Sequence, residues 1–189
     1  MPDRDGSVPL AELLRTYVPT AAERDDLRRI QRLVADGSPW DRLQPLHVTA
    51  SALIVHPPSR RVLLRWHERQ QAWLQIGGHA DPGEDDPLAV ARREGQEETG
   101  LPDLVPWPDA ALRHVVVVPV PANDREPAHE HADLRFVLAT TIPEAARPER
   151  PTALLRWLSI DDAVQLTSEE NVRETIRRVK RAFRRASRG

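Results

Sequence analysis

Residues 77–101 read GGHADPGEDDPLAVARREGQEETGL and join a glycine-rich turn to an acidic helical pattern. Glu94, Glu97 and Glu98 have the i, i+3, i+4 spacing that puts three side chains on one face of a helix. Carboxylates this close repel each other, so a helix that keeps them needs a counter-charge, which a divalent cation can supply. Ligands that are all oxygen favour Mg²⁺ or Mn²⁺ over zinc. The glycine turn lets the backbone approach closely, so a main-chain carbonyl can join these ligands.

A solvated acidic helix face is the alternative, and the glutamate spacing alone favours it. We nevertheless favour a functional site, because the glutamates are accompanied by the glycine turn, Glu84 and Arg93. Together these residues resemble the signature of the Nudix (MutT-like) hydrolases, G-x5-E-x7-R-E-U-x-E-E-x-G-U, in which U is a bulky aliphatic residue. The positions that match are Gly78, Glu84, Arg93, Glu94, Glu97, Glu98, Gly100 and Leu101.

The sequence departs from this signature at two places. Eight residues separate Glu84 from Arg93 where the pattern has seven, and we place the extra residue in the turn at residues 85–87, because loops absorb insertions better than a helix face does. Gly95 stands where a bulky aliphatic residue belongs, which removes a core contact and costs about 1 kcal/mol of helix propensity. We expect Trp107 or Trp157 to fill the space. Both departures leave room for altered or weak activity.

The resemblance implies a hydrolase that uses water and Mg²⁺ or Mn²⁺ to cleave a pyrophosphate bond. Its substrate would be a nucleoside diphosphate linked to another group, or a related diphosphate. By matching positions, Glu94, Glu97 and Glu98 are the expected catalytic residues, and they hold the metal together with the carbonyl of Gly78. His79 and Arg93 are the expected substrate-binding residues, and Arg93 also supports the site by pairing with Glu84 or one of the three glutamates.

Three functional readings stay open. The first is the metal-dependent pyrophosphohydrolase, in which the general base and the substrate are unassigned. The second is a Nudix-fold nucleotide sensor or regulator with little turnover. The third is an interaction protein that uses a basic C-terminal helix.

The rest of the chain predicts an α/β fold. β-branched and apolar runs indicate strands at residues 47–55, 61–66, 73–76, 115–118, 134–138 and 154–158, and residues 86–99 have a helical pattern. Strands around a central helix, with a further helix running to about Arg185, predict an α/β/α sandwich of Nudix type with a mixed sheet. Residues 1–40 are expected to form an N-terminal helical extension, and residues 41–189 the Nudix domain with its basic C-terminal helix.

Two weaker patterns lie outside the signature. His129, His131 and Asp133 alternate along a strand and therefore share a face. We interpret them as a polar strand edge, with a second metal site or a phosphate contact as the alternatives. Glu169 and Glu170 begin the last helix, where acids are ordinary, but they can also supply an extra acid to the site.

Composition and charge exclude several classes of protein. The chain has no cysteine, which excludes a disulfide scaffold, a thiolate zinc site and a thiol nucleophile. No apolar stretch reaches the roughly 18 residues of a membrane span, and the N-terminus has no signal-peptide pattern, so we expect a cytoplasmic protein.

The charge of the chain is unevenly distributed. The net charge of the chain is −2, but residues 177–189 hold seven basic residues and no acid. Residues 1–176 therefore have a net charge of −9. Ile176, Val179, Ala182 and Phe183 form an apolar stripe, so we expect an amphipathic helix packed on an acidic body with its arginine heads in solvent. This interpretation is favoured over nucleic-acid binding. A homodimer is possible.

Overall fold

A computed structural model describes residues 9–124 and 126–186 of the chain. The helices are α1 (Leu10–Thr16), α2 (Arg24–Ala35), α3 (Pro87–Thr99), α4 (Ile160–Leu166) and α5 (Glu170–Ala186). The strands are β1 (Leu46–His56), β2 (Arg61–His67), β3 (Ala72–Leu74), β4 (Ile76–Gly78), β5 (Val105–Pro106), β6 (His114–Val120), β7 (His129–Ala139) and β8 (Leu155–Ser159). Across these described segments, every helix is too short or too polar to traverse a lipid bilayer.

Strand β1 is the centre of a mixed sheet, which confirms the predicted sheet type. It runs parallel to β7 and antiparallel to β2 and β4. It pairs with β2 through residues 54–56 and with β4 through residues 50–52. Strands β2 and β4 therefore pair with the same edge of β1, β2 at the C-terminal end of β1 and β4 at its middle. The glycine turn at the end of β4 consequently lies beside the middle of β1.

Helices cover both faces of this sheet. Val48, Ala50, Ala52 and Ile54 of β1 belong to the core cluster that buries α1, α2 and α3. The side chains that alternate with them, Leu53 and Val55, belong to the cluster that buries α4 and α5. Because neighbouring side chains of a strand point to opposite faces, β1 lies between two helical layers. The predicted three-layer α/β/α sandwich with an N-terminal helical part is confirmed.

Two predicted strands have different limits in the structure. The strand expected at residues 73–76 is divided at Gln75, so that β3 pairs with β2 while β4 pairs with β1. The strand expected at residues 134–138 begins earlier, at His129, because both of its edges are paired, with β1 and with β6. His129 and His131 therefore lie within a strand.

Local sequence fixes both ends of α3. The Asp86 carboxylate accepts hydrogen bonds from the N–H groups of Leu88 and Ala89 at 2.9 and 3.3 Å, and Pro87 occupies the first turn, where no N–H is needed. Gly100 ends the helix with a φ of 67°, a left-handed conformation that favours glycine. Asp85 and Asp86 precede the helix, so the extra residue of the motif lengthens this turn without shifting the glutamates along α3.

Leu104 fills the space that Gly95 leaves. A Cβ atom at Gly95 would lie 2.7 Å from Cδ1 of Leu104 and 3.7 Å from Cδ1 of Ile54. The prediction that Trp107 or Trp157 fills this space is wrong. Trp107 packs on Phe183 in the other core cluster, and Trp157 donates from its indole to the Pro143 carbonyl at 2.9 Å. Leu104 is closer along the chain, since it follows α3 directly.

This packing gives a stability prediction. Gly95→Ile is expected to lower the free energy of unfolding by about 1–3 kcal/mol, because the added side chain overlaps Leu104 in a filled core. The double variant Gly95→Ile with Leu104→Ala should recover most of that loss, since the second change makes room for the first. Urea unfolding of the wild type, both single variants and the double variant measures this. Equal stability of Gly95→Ile and the wild type would contradict the assignment.

The C-terminal helix buries three of the four residues of the predicted apolar stripe, with Ala182 half-buried, and not all of its arginines face solvent. Ile176, Val179 and Phe183 are buried in the cluster shared with α4. Arg178 is also largely buried, and its Nη1 donates to the Glu23 carboxylate at 2.8 Å. The prediction of solvent-facing arginine heads is therefore wrong for Arg178, because the N-terminal segment provides it with a buried carboxylate.

Glu23 ties the N-terminal segment to the rest of the fold. It is only 3% exposed, and it accepts hydrogen bonds from the Thr20 backbone N–H at 2.8 Å, the Val115 N–H at 3.1 Å and the Tyr17 hydroxyl. Together with Arg178, these donors come from the N-terminal segment, β6 and α5. One carboxylate thus joins three parts of the chain.

Candidate active site

The absence of a side chain at Gly78 lets α3 lie against β4. A Cβ atom at this position would lie 2.6 Å from Cδ and from Oε2 of Glu94. Any residue other than glycine would therefore displace the Glu94 carboxylate. The Glu94 carboxylate thus occupies the space that a side chain at residue 78 would need.

Arg93 connects the glycine-rich turn with the acidic helix. Its Nε donates to Glu84 Oε1 at 2.9 Å, and its Nη2 donates to the His79 carbonyl at 2.8 Å. Its Nη1 donates to Glu94 Oε1 at 2.9 Å and to Glu97 Oε2 at 3.0 Å. Arg93 thus pairs both with Glu84 and with two of the helix glutamates, and these bonds raise the pKa of Arg93.

Glu98 faces a different cation. Its carboxylate lies 3.3 Å from Nη2 of Arg65, a residue of β2. The same nitrogen of Arg65 lies 3.5 Å from the Glu149 carboxylate. Burial raises the pKa of Glu98 to about 7, against the opposing effect of Arg65. Burial also raises the pKa of Glu94, although Arg93 opposes it. Both carboxylates are therefore held where a further positive charge would stabilise their ionised forms.

The three glutamates lie in two groups. Glu94 and Glu97 meet at Arg93, whereas Glu98 meets Arg65, so in this structure arginines supply the counter-charge. Glu97 has a side chain that is 55% exposed, against 13% for Glu98. The donor set still fits a hard divalent cation, because Glu94 and Glu98 provide carboxylate oxygens close to the Gly77–Gly78 main chain.

A polar cleft of about 250 Å³ adjoins Glu98 and Gly78. Residues of β1 and β7 line it, together with Asn171 of α5 and Glu169, which directly precedes that helix. Three arginines from different strands and loops line the cleft, and their positive charge favours an anionic ligand. The lining residues used below are Arg65, Arg69, Arg135, His79, His131 and Glu169.

The sequence analysis missed the cationic side of this cleft. Arg135 lies in β7, where its Nε donates to Asp133 at 2.7 Å and its Nη2 donates to the Asn171 side chain at 2.7 Å. Arg65 lies in β2, a strand whose apolar residues belong to both core clusters. A signal existed in both cases, because an arginine inside an otherwise apolar strand is seldom buried unless it has a partner.

Some of the remaining predicted residues line the cleft, and others lie outside it. His79 lines it, next to His131. Glu169 lines it from the opposite side, whereas Glu170 pairs with Arg173 and Arg177 on the helix surface. Of the two late acids, only Glu169 is thus placed to reach a ligand in the cleft.

Solved structures with the same fold include several enzymes. The C. elegans Ap4A hydrolase in a binary complex superposes with a TM-score of 0.57 at 19% identity, over 74% of this chain and 98% of that one. A NUDIX-family hydrolase from Clostridium perfringens gives 0.55 at 23% identity, over 74% and 97%. The NUDIX domain of Shewanella oneidensis NrtR, complexed with ADP ribose, gives 0.54 at 16% identity, over 86% and 98%. At these identities the likeness establishes the fold.

Family membership follows from the sequence profile. No curated protein matches the chain. The profile of the NUDIX domain matches residues 45–179, which is more than half of the 189 residues and includes the glycine turn, the acidic helix and the cleft. The chain therefore belongs to the NUDIX domain family.

Proposed function

We propose that this protein is a divalent-metal-dependent hydrolase that cleaves a pyrophosphate bond. Its substrate would be a nucleoside diphosphate linked to another group, or a related diphosphate. The observation that carries the proposal is the position of the Glu94 carboxylate, which occupies the space of the missing side chain at Gly78. A cleft that Glu98 and three arginines line lies beside it. Fold neighbours named as an Ap4A hydrolase and as a complex with ADP ribose support a phosphorylated nucleotide as the ligand class.

The carboxylates of Glu94 and Glu98 and the carbonyl of Gly78 would hold Mg²⁺ or Mn²⁺, with Glu97 as a further ligand. When bound, such an ion neutralises phosphate charge and lowers the pKa of a bound water. Arg93 keeps the turn and the helix together through its bonds to Glu84 and the His79 carbonyl. It is a positioning residue, because these protein oxygens already occupy its donors.

Arg65 would bind a phosphate of the substrate. Arg135 would contribute positive charge only, because its guanidinium nitrogens already donate to Asp133, Asn171 and Thr175. Both arginines line the cleft, and the Nε of Arg65 is buried without a hydrogen-bond partner within residues 9–124 and 126–186. A buried donor without a partner is costly, so a phosphate oxygen that reaches it would be bound favourably. His79 lines the same cleft and is proposed as a further substrate contact.

A panel of nucleoside diphosphate derivatives tests the proposal. Each compound is incubated with the protein and Mg²⁺ or Mn²⁺, and released phosphate is measured after phosphatase treatment. Metal-dependent release from at least one compound is expected. Tight binding without release from any compound would instead favour the nucleotide sensor.

Glu169 is proposed to exchange a proton with the attacking water or with the leaving group. Glu169→Gln is expected to lower kcat by about 10-fold, less than the 100-fold typical of a sole general base, because other acids lie nearby. Glu170→Gln is the matched control, since its carboxylate faces Arg173 and Arg177 outside the cleft. Equal kcat values for the two variants would remove Glu169 from the reaction.

The organisation of the chain is also a proposal. We propose that residues 41–189 form the catalytic domain and that residues 1–40 form an extension packed on it, which the match over residues 45–179 and the Glu23–Arg178 pair support. A cytoplasmic location and a homodimer stay predictions.

A further inference from the structure

Four histidines converge at one edge of the cleft. Strands β4, β1 and β7 lie side by side, His47 of β1 is directly opposite His131 of β7, and His79 follows β4. The ring centre of His47 lies 5.1 Å from that of His79, 5.3 Å from that of His129 and 5.0 Å from that of His131. Residues far apart in the sequence thus form one cluster of imidazoles.

The nitrogen atoms have the spacing of metal ligands. One nitrogen from each of His47, His79 and His131 lies within 4.8 Å of the others, and the Nε2 atoms of His47 and His79 are 3.1 Å apart. Two nitrogens bound to a tetrahedral zinc ion at 2.0–2.1 Å are separated by about 3.3–3.4 Å. Small side-chain rotations would therefore bring the third nitrogen to the same ion.

Backbone carbonyls set the tautomers of two of the rings. Nδ1 of His47 lies 3.0 Å from the Gln44 carbonyl, and Nδ1 of His129 lies 2.9 Å from the Pro127 carbonyl. A carbonyl only accepts, so each Nδ1 carries the proton and each Nε2 keeps its lone pair. Those lone pairs point into the cluster, toward His79 and His131 respectively. Histidines that bind metals are held in the same way by outer partners.

The surroundings of the cluster are polar. Charges of both signs face the cluster, namely Arg42, Arg69, Asp41 and Asp133.

We propose that His47, His79 and His131 bind one divalent transition-metal ion of the Zn²⁺ class, at a site separate from the carboxylates of α3. Imidazole suits zinc and its neighbours, whereas Mg²⁺ prefers oxygen. His79 and His131 also line the cleft, so the fourth coordination position is open to water or to a phosphate oxygen. His129 supports the site through its contact with His131. The proposal does not depend on the hydrolytic function, because none of the three histidines is a proposed ligand of the metal at α3. His79 is the one side chain that the histidine site shares with the proposed substrate contacts.

Zinc titration of the full chain tests this site. Chelator-treated, tag-free protein is titrated with Zn²⁺ by calorimetry in excess Mg²⁺, which occupies oxygen ligands without competing for imidazole. Co²⁺ is then added to fresh protein as a spectroscopic probe of coordination. We expect about one tightly bound ion per chain and the intense visible absorption of tetrahedral Co²⁺.

Ligand variants decide whether the three histidines hold the ion. His79→Gln and His131→Gln are each expected to weaken zinc binding by at least about 100-fold, more than the loss of an outer partner. Two variants should leave zinc binding unchanged: His56→Gln, a histidine that contacts Ser59 away from the cluster, and Glu98→Gln. Circular dichroism checks that each variant is folded. No zinc binding by the wild type, or full binding by both ligand variants, would overturn the proposal.

Discussion

Replacing Glu98 with glutamine is expected to lower metal-dependent turnover by at least about 100-fold. Glu98 lines the cleft with a largely buried side chain, and the substitution removes the charge of a proposed metal ligand near Gly77 and Gly78. Glu97→Gln should also lower turnover by orders of magnitude, although less than Glu98→Gln, since Glu97 is more exposed. Initial rates with Mg²⁺ and with Mn²⁺, on a substrate found in the panel, measure both effects.

The fold should survive the Glu98 variant. Arg65 keeps Glu149 as an acidic partner, and glutamine preserves the shape of the side chain. Glu12→Gln is a matched control, because that carboxylate pairs with Arg15 on the surface of α1. Turnover near the wild-type value in both Glu97→Gln and Glu98→Gln would show that the active site lies elsewhere.

Removing the buried carboxylate of Glu23 is expected to destabilise the protein most. Glu23→Ala leaves the Arg178 guanidinium largely buried without its closest carboxylate and the Val115 N–H without its acceptor. Breaking a buried ion pair from one side costs about 3–5 kcal/mol. Urea unfolding at neutral pH measures this loss. Glu12→Ala, which breaks an exposed pair, should cause a much smaller change.

The pH dependence of this loss provides a second check. Burial would raise the pKa of Glu23, but hydrogen bonds from Arg178, Tyr17 and Thr20 outweigh it and lower the pKa to about 2, from an ordinary value of 4.5. A carboxyl that is more acidic in the folded state contributes stability above pH 4.5, and this contribution is lost as the pH falls toward 2. The stability difference between wild type and Glu23→Ala should narrow over that range. A constant difference would contradict the role of the Glu23 charge.

Much of the fold follows from local sequence. The apolar run of β1 and the helical pattern of residues 86–99 predict their elements, because burial and backbone hydrogen bonding act over short stretches. The two strands divided at Gln75 and the early start of β7 were missed because strand limits depend on pairing with distant residues. Leu104 was missed as the partner of Gly95 although it is near in the sequence, because the direction of the chain after α3 decides which side chain packs there.

The candidate site, like the fold, was predicted where its residues are close in the sequence and missed where they are distant. Glu84, Arg93 and the glutamates of α3 were identified from spacing along one turn and one helix, and the structure joins Arg93 to Glu84, Glu94 and Glu97. The pairing of Glu98 with Arg65 could not be predicted, because it depends on where β2 lies relative to α3 in the folded chain. The histidine cluster likewise needs the parallel pairing of β1 with β7, which brings His47 opposite His131.

The central claim is that water cleaves a pyrophosphate bond at a metal held by the α3 glutamates. Its most direct test is turnover of the best panel compound in ¹⁸O-labelled water, with Mg²⁺ or with chelator, followed by mass spectrometry of the products. We predict cleavage only with the metal, and one ¹⁸O atom in one of the two phosphorylated products. Cleavage that persists in chelator, or products without ¹⁸O, would contradict it.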